Sequence, residues 1–132
     1  MRRIVNLHSV EAISDPIPKA LVINIDDATE NNKEYRKTIW LGEFMKVNTM
    51  SIPQGREIGG EIHSEQDQFI KIESGRALVT FGKSEEEITL ERAIDDDYAI
   101  IVPAGTWHNI KNIGNSDLKL ISIYAPANEM YN

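Results

Sequence analysis

From Tyr35 to Ala125 the chain is a succession of short apolar segments cut at regular intervals by turn residues. The segments run about five to eight residues and are rich in Val, Ile, Thr, Phe and Tyr, which is how strands read. They predict strands over 37–40, 43–52, 60–63, 67–74, 76–81, 86–90, 99–102, 108–112 and 118–125. The cuts between them include Pro53-Gln54-Gly55, Ser74-Gly75, Gly82-Lys83-Ser84, Pro103-Ala104-Gly105 and Gly114-Asn115. No stretch from 35 to 125 holds a helical period. Many evenly spaced strands in one unit have few solutions, a sandwich or a closed barrel. The expected fold is therefore all-β.

Residues 1–34 read differently. Ile4-Val5 and 20–25 (ALVINI) are short apolar runs that read as strands, separated by a Pro-containing loop over 14–19. The polar stretch 26–33 (DDATENNK) suits one helical turn capped by Asp26 or Asp27. We expect an N-terminal extension over 1–34, packed on the barrel or on a dimer partner, and a barrel domain over 35–132. Two-fold pairs are the commonest oligomers, so a homodimer is expected.

Composition narrows the partners. The 132 residues suit one domain, and 41% apolar content suffices for a core. A formal charge of −7 disfavours nucleic acid and anionic membrane, which need basic clusters. Arg2-Arg3 supplies too few charges for either. There is no cysteine, which excludes disulfides, thiolate metal sites and redox thiols. The start lacks a secretory core, and no apolar run approaches 18 residues. The expected location is the cytoplasm.

The three histidines are His8, His63 and His108. A lone histidine such as His8 reads as an ordinary core or surface residue. The other two stand in the most patterned stretches, GREIGGEIHSEQDQFIKIESG over 55–75 and PAGTWHNIKN over 103–112. Positions i and i+2 of a strand face one side, so Glu61 and His63 point together. If that side is interior, a carboxylate and an imidazole are buried together and need partners. The gap from Glu61 to Gln68 suits a tight return that sets Gln68 beside them. Pro103-Ala104-Gly105 is a turn that delivers His108 at the head of a strand.

These stretches resemble the two motifs of the cupin superfamily. The first motif has Gly, five residues, His-x-His, three or four residues, Glu, six residues and Gly. Here Gly55, Glu61-Ile62-His63, Gln68 and Gly75 hold that spacing, with Glu61 and Gln68 replacing a His and a Glu. The second motif has Gly, five residues, Pro-x-Gly, two residues, His, three residues and Asn. Pro103, Gly105, His108 and Asn112 match, and Asp97 replaces the leading Gly. The resemblance covers about 55–112 and implies a double-stranded β-helix, the jelly-roll barrel of the cupins.

It also implies a pocket around Glu61, His63, Gln68 and His108 that holds a divalent ion. Nitrogen and oxygen ligands without sulfur suit Mn, Fe, Co, Ni or Zn. Gln68 would be a weak fourth ligand, a donor that orients the others, or a hydrogen-bonded core residue. Asn112 reads as a turn or hydrogen-bonding residue. Trp107 and Tyr98 read as core or as the pocket mouth, 95–97 as a solvated turn and 85–87 as a charged hairpin edge. Among cupins the chain looks like short proteins grouped with mannose-6-phosphate isomerases. That implies metal-assisted aldose–ketose isomerisation, with Glu61 as catalytic base when it is not a ligand. Arg56, Lys71 and Lys111 are the candidates for holding a sugar phosphate. The alternatives are a non-catalytic sugar- or small-molecule-binding protein and an Fe(II)-dependent oxygenase.

Overall fold

The structure, a computed structural model, describes residues 19–127. The expectations for Ile4-Val5, His8 and most of the loop over 14–19 lie outside the described residues. One short helix and eight strands follow in order. They are α1 (Ile25–Asn31), β1 (Arg36–Leu41), β2 (Lys46–Ile52), β3 (Asp67–Ser74), β4 (Ala77–Ser84), β5 (Glu87–Ile94), β6 (Ala99–Val102), β7 (Trp107–Asn112) and β8 (Leu118–Ala125).

The strands form two antiparallel sheets. One has the order β1-β2-β8-β3-β6 and the other β5-β4-β7. The sheets face each other around Met50, Ile52, Ile70, Ile72, Leu118 and Leu120 from the first and Val79 and Ile110 from the second. This is the expected all-β double-stranded β-helix. β3, β6 and β7 alternate buried and outward residues, as the pleat requires, whereas β2 and β8 are buried along most of their length and β5 is exposed up to Ile94. Gly75, at φ 107°, turns β3 into β4 close against the backbone of Leu118, a conformation that excludes most side chains.

The first sheet's inner face divides along its length. Met50, Leu120 and Ile72 lie in one register and Ile52 and Leu118 in the next, and all are apolar core. Toward the other end Asn48, Ser122 and Ile70 share a register, then Lys46, Tyr124 and Gln68. The barrel is thus dry at one end and polar at the other.

Two expectations about the extension need correcting. Residues 20–25 do not form a strand; 19–24 carry no regular structure and Ile25 opens α1. The cap is Asn24, whose side chain accepts from the Asp27 N–H at 3.0 Å. Asp26 and Asp27 fall in the first turn, where their charge suits the positive end of the helix. Within the barrel, β2 starts at Lys46 rather than residue 43, because Gly42 and Met45 close a turn through a 2.8 Å hydrogen bond. β5 runs on to Ile94. The turn expected at Gly82-Lys83-Ser84 is instead the end of β4, and the chain turns at 85–86, within the charged hairpin edge expected over 85–87. The turn expected over 95–97 is present, with Asp97 at φ 69°.

Candidate metal centre

β7 places His108. Along this strand His108, Ile110 and Asn112 face inward, and Trp107, Asn109 and Lys111 face outward. His108 is 2% exposed. The turn before it is tied to the first motif: Gly105 N–H donates to the His63 carbonyl at 3.0 Å and Ala104 N–H to Asp67 at 2.9 Å. Asn112 closes the far end as expected. Its side chain donates to the carbonyls of Ile52 and Ser116 and accepts from Gly114 N–H.

The segment carrying Glu61 and His63 is not the strand that the sequence predicts over 60–63. It lies along β7 through two isolated bridges, Glu57 with Lys111 and Glu61 with His108. Four steps on one side match three on the other, so the segment bulges by one residue, with Gly59 at φ 95°. The bulge is pinned twice. Glu61 and His108 exchange backbone hydrogen bonds at 2.9 Å, and Trp107 lies across Gly60 so closely that a Cβ there would be 2.4 Å from its ring. Trp107 is therefore half-buried rather than core, and it braces the segment from the outer side of β7.

Glu61 and His63 still face one side, with His63 Nε2 3.7 Å from Glu61 Oε1. One donor atom each from Glu61, His63 and His108 falls within 4.8 Å of the others. Two donors about 2.1 Å from one ion stand at most about 4.2 Å apart, so small side-chain movements would seat an ion here. The rings of His63 and His108 are 5.5 Å apart, and His63 meets the edge of Tyr124 at 5.2 Å.

The protonation states suit a cation. His108 Nδ1 lies 3.1 Å from the Thr106 carbonyl, which can only accept. Nδ1 therefore carries the proton, and Nε2 presents a lone pair to the pocket. Burial pulls the His108 pKa below its usual 6.5, with His63 adding to this and Thr106 and Glu61 opposing it. For Glu61, burial acts to raise the pKa. The imidazole of His63 at 3.7 Å, with the charges of Arg36 and His108, outweighs it, so the carboxyl lies below 4.5. At neutral pH the group offers one carboxylate and the neutral imidazole of His108, with His63 beside them.

The buried Nε2 atoms of His63 and His108 have no hydrogen-bond partner, and neither does the buried Gln68 Oε1. Buried polar atoms without partners are costly, and these three, which with Thr49 Oγ1 make four among the described residues, call for an explanation. A divalent ion would satisfy the two nitrogens at once. The residues present therefore fit the implied metal. Gln68 is 4% exposed, and its amide N–H donates to Ser122 Oγ at 2.8 Å, which leaves its oxygen unpaired.

Several predicted residues stand elsewhere. Lys71 and Lys111 lie on the faces of β3 and β7 opposite Gln68 and His108, because odd spacings in a strand reverse the side. Arg56 lines a separate cleft with Lys33, Tyr35 and Glu57. Tyr98 is 41% exposed beneath the guanidinium of Arg92.

The sequence reading missed the inner polar wall of Lys46, Asn48, Ser122 and Tyr124. The signal was present in the alternation of Lys46-x-Asn48 and Ser122-x-Tyr124 within apolar strands. Burial raises the Tyr124 pKa, with Glu61 adding and Ser122, Arg36 and Gln68 opposing, so the phenol stays protonated.

Residues 48–124 match the cupin domain family. The uncharacterized protein YrkC of Bacillus subtilis strain 168 is 48% identical, covering 90% of this chain and 64% of YrkC. A putative mannose-1-phosphate guanylyltransferase of Vibrio cholerae is 29% identical, covering 71% of this chain and 22% of that protein. The chain thus spans less than two thirds of the length of either. Among solved structures, BH2720 of Bacillus halodurans is 46% identical with a TM-score of 0.82, covering 86% of each chain.

Proposed function

The chain belongs to the cupin family, and we propose that its pocket binds one divalent transition-metal ion through Glu61, His63 and His108, and through that ion a small oxygen-bearing molecule. The carrying observation is two buried, unpartnered imidazole nitrogens on a Glu–His–His group whose donor atoms lie within 4.8 Å of one another. Two imidazoles and one carboxylate suit Mn, Fe, Co, Ni or Zn and leave positions for a ligand. When bound, the ion would polarise an oxygen of that ligand. The protein would hold the ligand with the polar inner wall of Asn48, Ser122, Gln68 and Tyr124, and would keep His108 oriented through Thr106.

Glu61 serves better here as ligand than as base, since its carboxylate lies against both histidines. This favours a binding role over the aldose–ketose isomerisation of mannose-6-phosphate isomerase-like cupins, which asks Glu61 to move a proton. The departure of Arg56, Lys71 and Lys111 from the pocket weighs the same way against a sugar phosphate. The similarity to the Vibrio cholerae protein is the feature that favours a sugar ligand. A homodimer stays part of this reading, with twice 14.9 kDa expected in light scattering. The test is calorimetric titration of metal-stripped full chain with Mn, Ni and Zn. One ion per chain is expected, with binding lost in His63→Ala and His108→Ala. Equal binding by wild type and both variants would contradict the proposal.

A further inference from the structure

The polar inner wall runs on into β1. Thr38 shares a register with Asn48, and Asn48 with Ser122. Thr38 Oγ1 donates to Asn48 Oδ1 at 2.8 Å, and Gln68 Nε2 to Ser122 Oγ at 2.8 Å. Positions two apart in a strand face one side, so Arg36 starts from the same inner face as Thr38. Its register partner Met50 agrees, being 1% exposed and part of the core.

A guanidinium does not fit that row. Met50 pairs with Leu120 and Leu120 with Ile72, and all three are apolar core. Arg36 is exposed, so its long stem carries the charge out of the apolar row to the open edge of the sheet. β1 is the edge strand there. The bulged segment stands beside it, because the hydroxyl of Tyr35 donates to the Glu57 carbonyl at 3.3 Å. The Arg36 charge is near enough to act on both the Glu61 carboxyl and the Tyr124 phenol. Among the described residues Arg36 has no ion-pair partner.

An arginine keeps its charge at any ordinary pH, and a fixed positive charge beside Glu61 repels a cation seated there. Arg36 therefore does not serve the ion itself. With an ion in place, ion and guanidinium together outweigh the Glu61 carboxylate, and an anion between them is attracted by both. The planar fork of a guanidinium matches the two oxygens of a carboxylate. A phosphate dianion calls for further cations, and Arg56, Lys71 and Lys111 stand away from the pocket. Lys46, on the inner wall, is buried and has an interaction of its own.

We propose that Arg36 is the anion-recognising residue of this pocket, and that the ligand is a small carboxylate held between the ion and the Arg36 guanidinium. The inference rests on the metal reading above and gives its oxygen-bearing ligand a chemical class.

The test is calorimetric titration of Ni-loaded full chain with lactate, malonate, lactamide and inorganic phosphate. Lactamide is the neutral counterpart of lactate. Wild type should bind at least one of the two acids, and lactamide about tenfold or more weakly than lactate. Arg36→Gln should weaken the bound acid about tenfold or more and leave lactamide unchanged, and Arg36→Lys should recover part of the loss. Nickel itself should bind Arg36→Gln as tightly as wild type or tighter, since a repelling charge is gone. Equal acid affinity in wild type and Arg36→Gln at full Ni occupancy would overturn the proposal, as would Ni-loaded wild type that binds neither acid. Phosphate bound more tightly than either acid would overturn the carboxylate assignment. Wild type that takes up no nickel would sink the metal reading and this inference with it, and the nickel titration shows that failure separately.

Discussion

Asp97 occupies the position where the second cupin motif has its leading glycine, and its φ of 69° explains the preference. Left-handed backbone costs an L-residue roughly 1–2 kcal/mol, less for Asp, whose short polar side chain tolerates it. Asp97 also lies 3.7 Å from Lys71, an exposed contact of little value. Asp97→Gly should therefore be neutral or slightly stabilising in urea unfolding, while Asp97→Val should lose about 1–2 kcal/mol. Equal losses in both would refute this account of the turn. Gln68 is the second informative residue. Gln68→Glu adds a charge beside the proposed ion and should tighten Mn or Ni binding about tenfold or more. Without metal the same carboxylate is buried with no cation to compensate it, so the apo variant should unfold at lower urea. Unchanged affinity would mean that residue 68 does not face the ion.

The bulged segment from Glu57 to His63 is the element on which the site depends. It has no neighbour that makes it a full strand; bridges to β7 and the indole of Trp107 hold it. Gly60→Ala would drive a methyl group into that indole, and overpacking of this kind costs typically 1–3 kcal/mol. We expect Gly60→Ala to weaken metal binding by displacing Glu61, and Trp107→Ala in the same chain to restore part of it. A double variant no better than the single one would show that the indole is not the obstacle. The sequence made the Glu61–His63 pairing legible through period two, and β3, β6 and β8 end where the residues predict. The bulge was not legible, because Gly59-Gly60 reads equally as strand or turn until β7 is placed beside it. The strand expected over 20–25 failed for a similar reason. A short apolar run next to Asn24 and two aspartates can go either way, and helix capping decided it.

At the scale of the whole molecule, the barrel's polar end couples the site to stability. His108 has a folded pKa below its unfolded value near 6.5, so the unfolded chain binds more protons there as pH falls. Glu61 is depressed below 4.5 and acts with the same sign at lower pH. Both contributions are present above the unfolded values and are lost as pH falls through the folded ones. The urea midpoint of metal-free protein should therefore hold near pH 7 and begin to drop below about 6.5. A midpoint that rose between pH 7 and 5 would contradict the buried, neutral His108. The polar wall left its trace in the alternation of Lys46-x-Asn48 and Ser122-x-Tyr124, but only the fold joins it to the site, since these strands are distant in sequence from the motifs. The metal centre is the central claim, and anomalous diffraction from crystals of the full chain grown with Mn, Ni or Zn tests it most directly. The account predicts a single strong peak about 2.0–2.2 Å from Nε2 of His63, Nε2 of His108 and the Glu61 carboxylate. Full-occupancy metal elsewhere, with these three side chains bonded only to water, would contradict it.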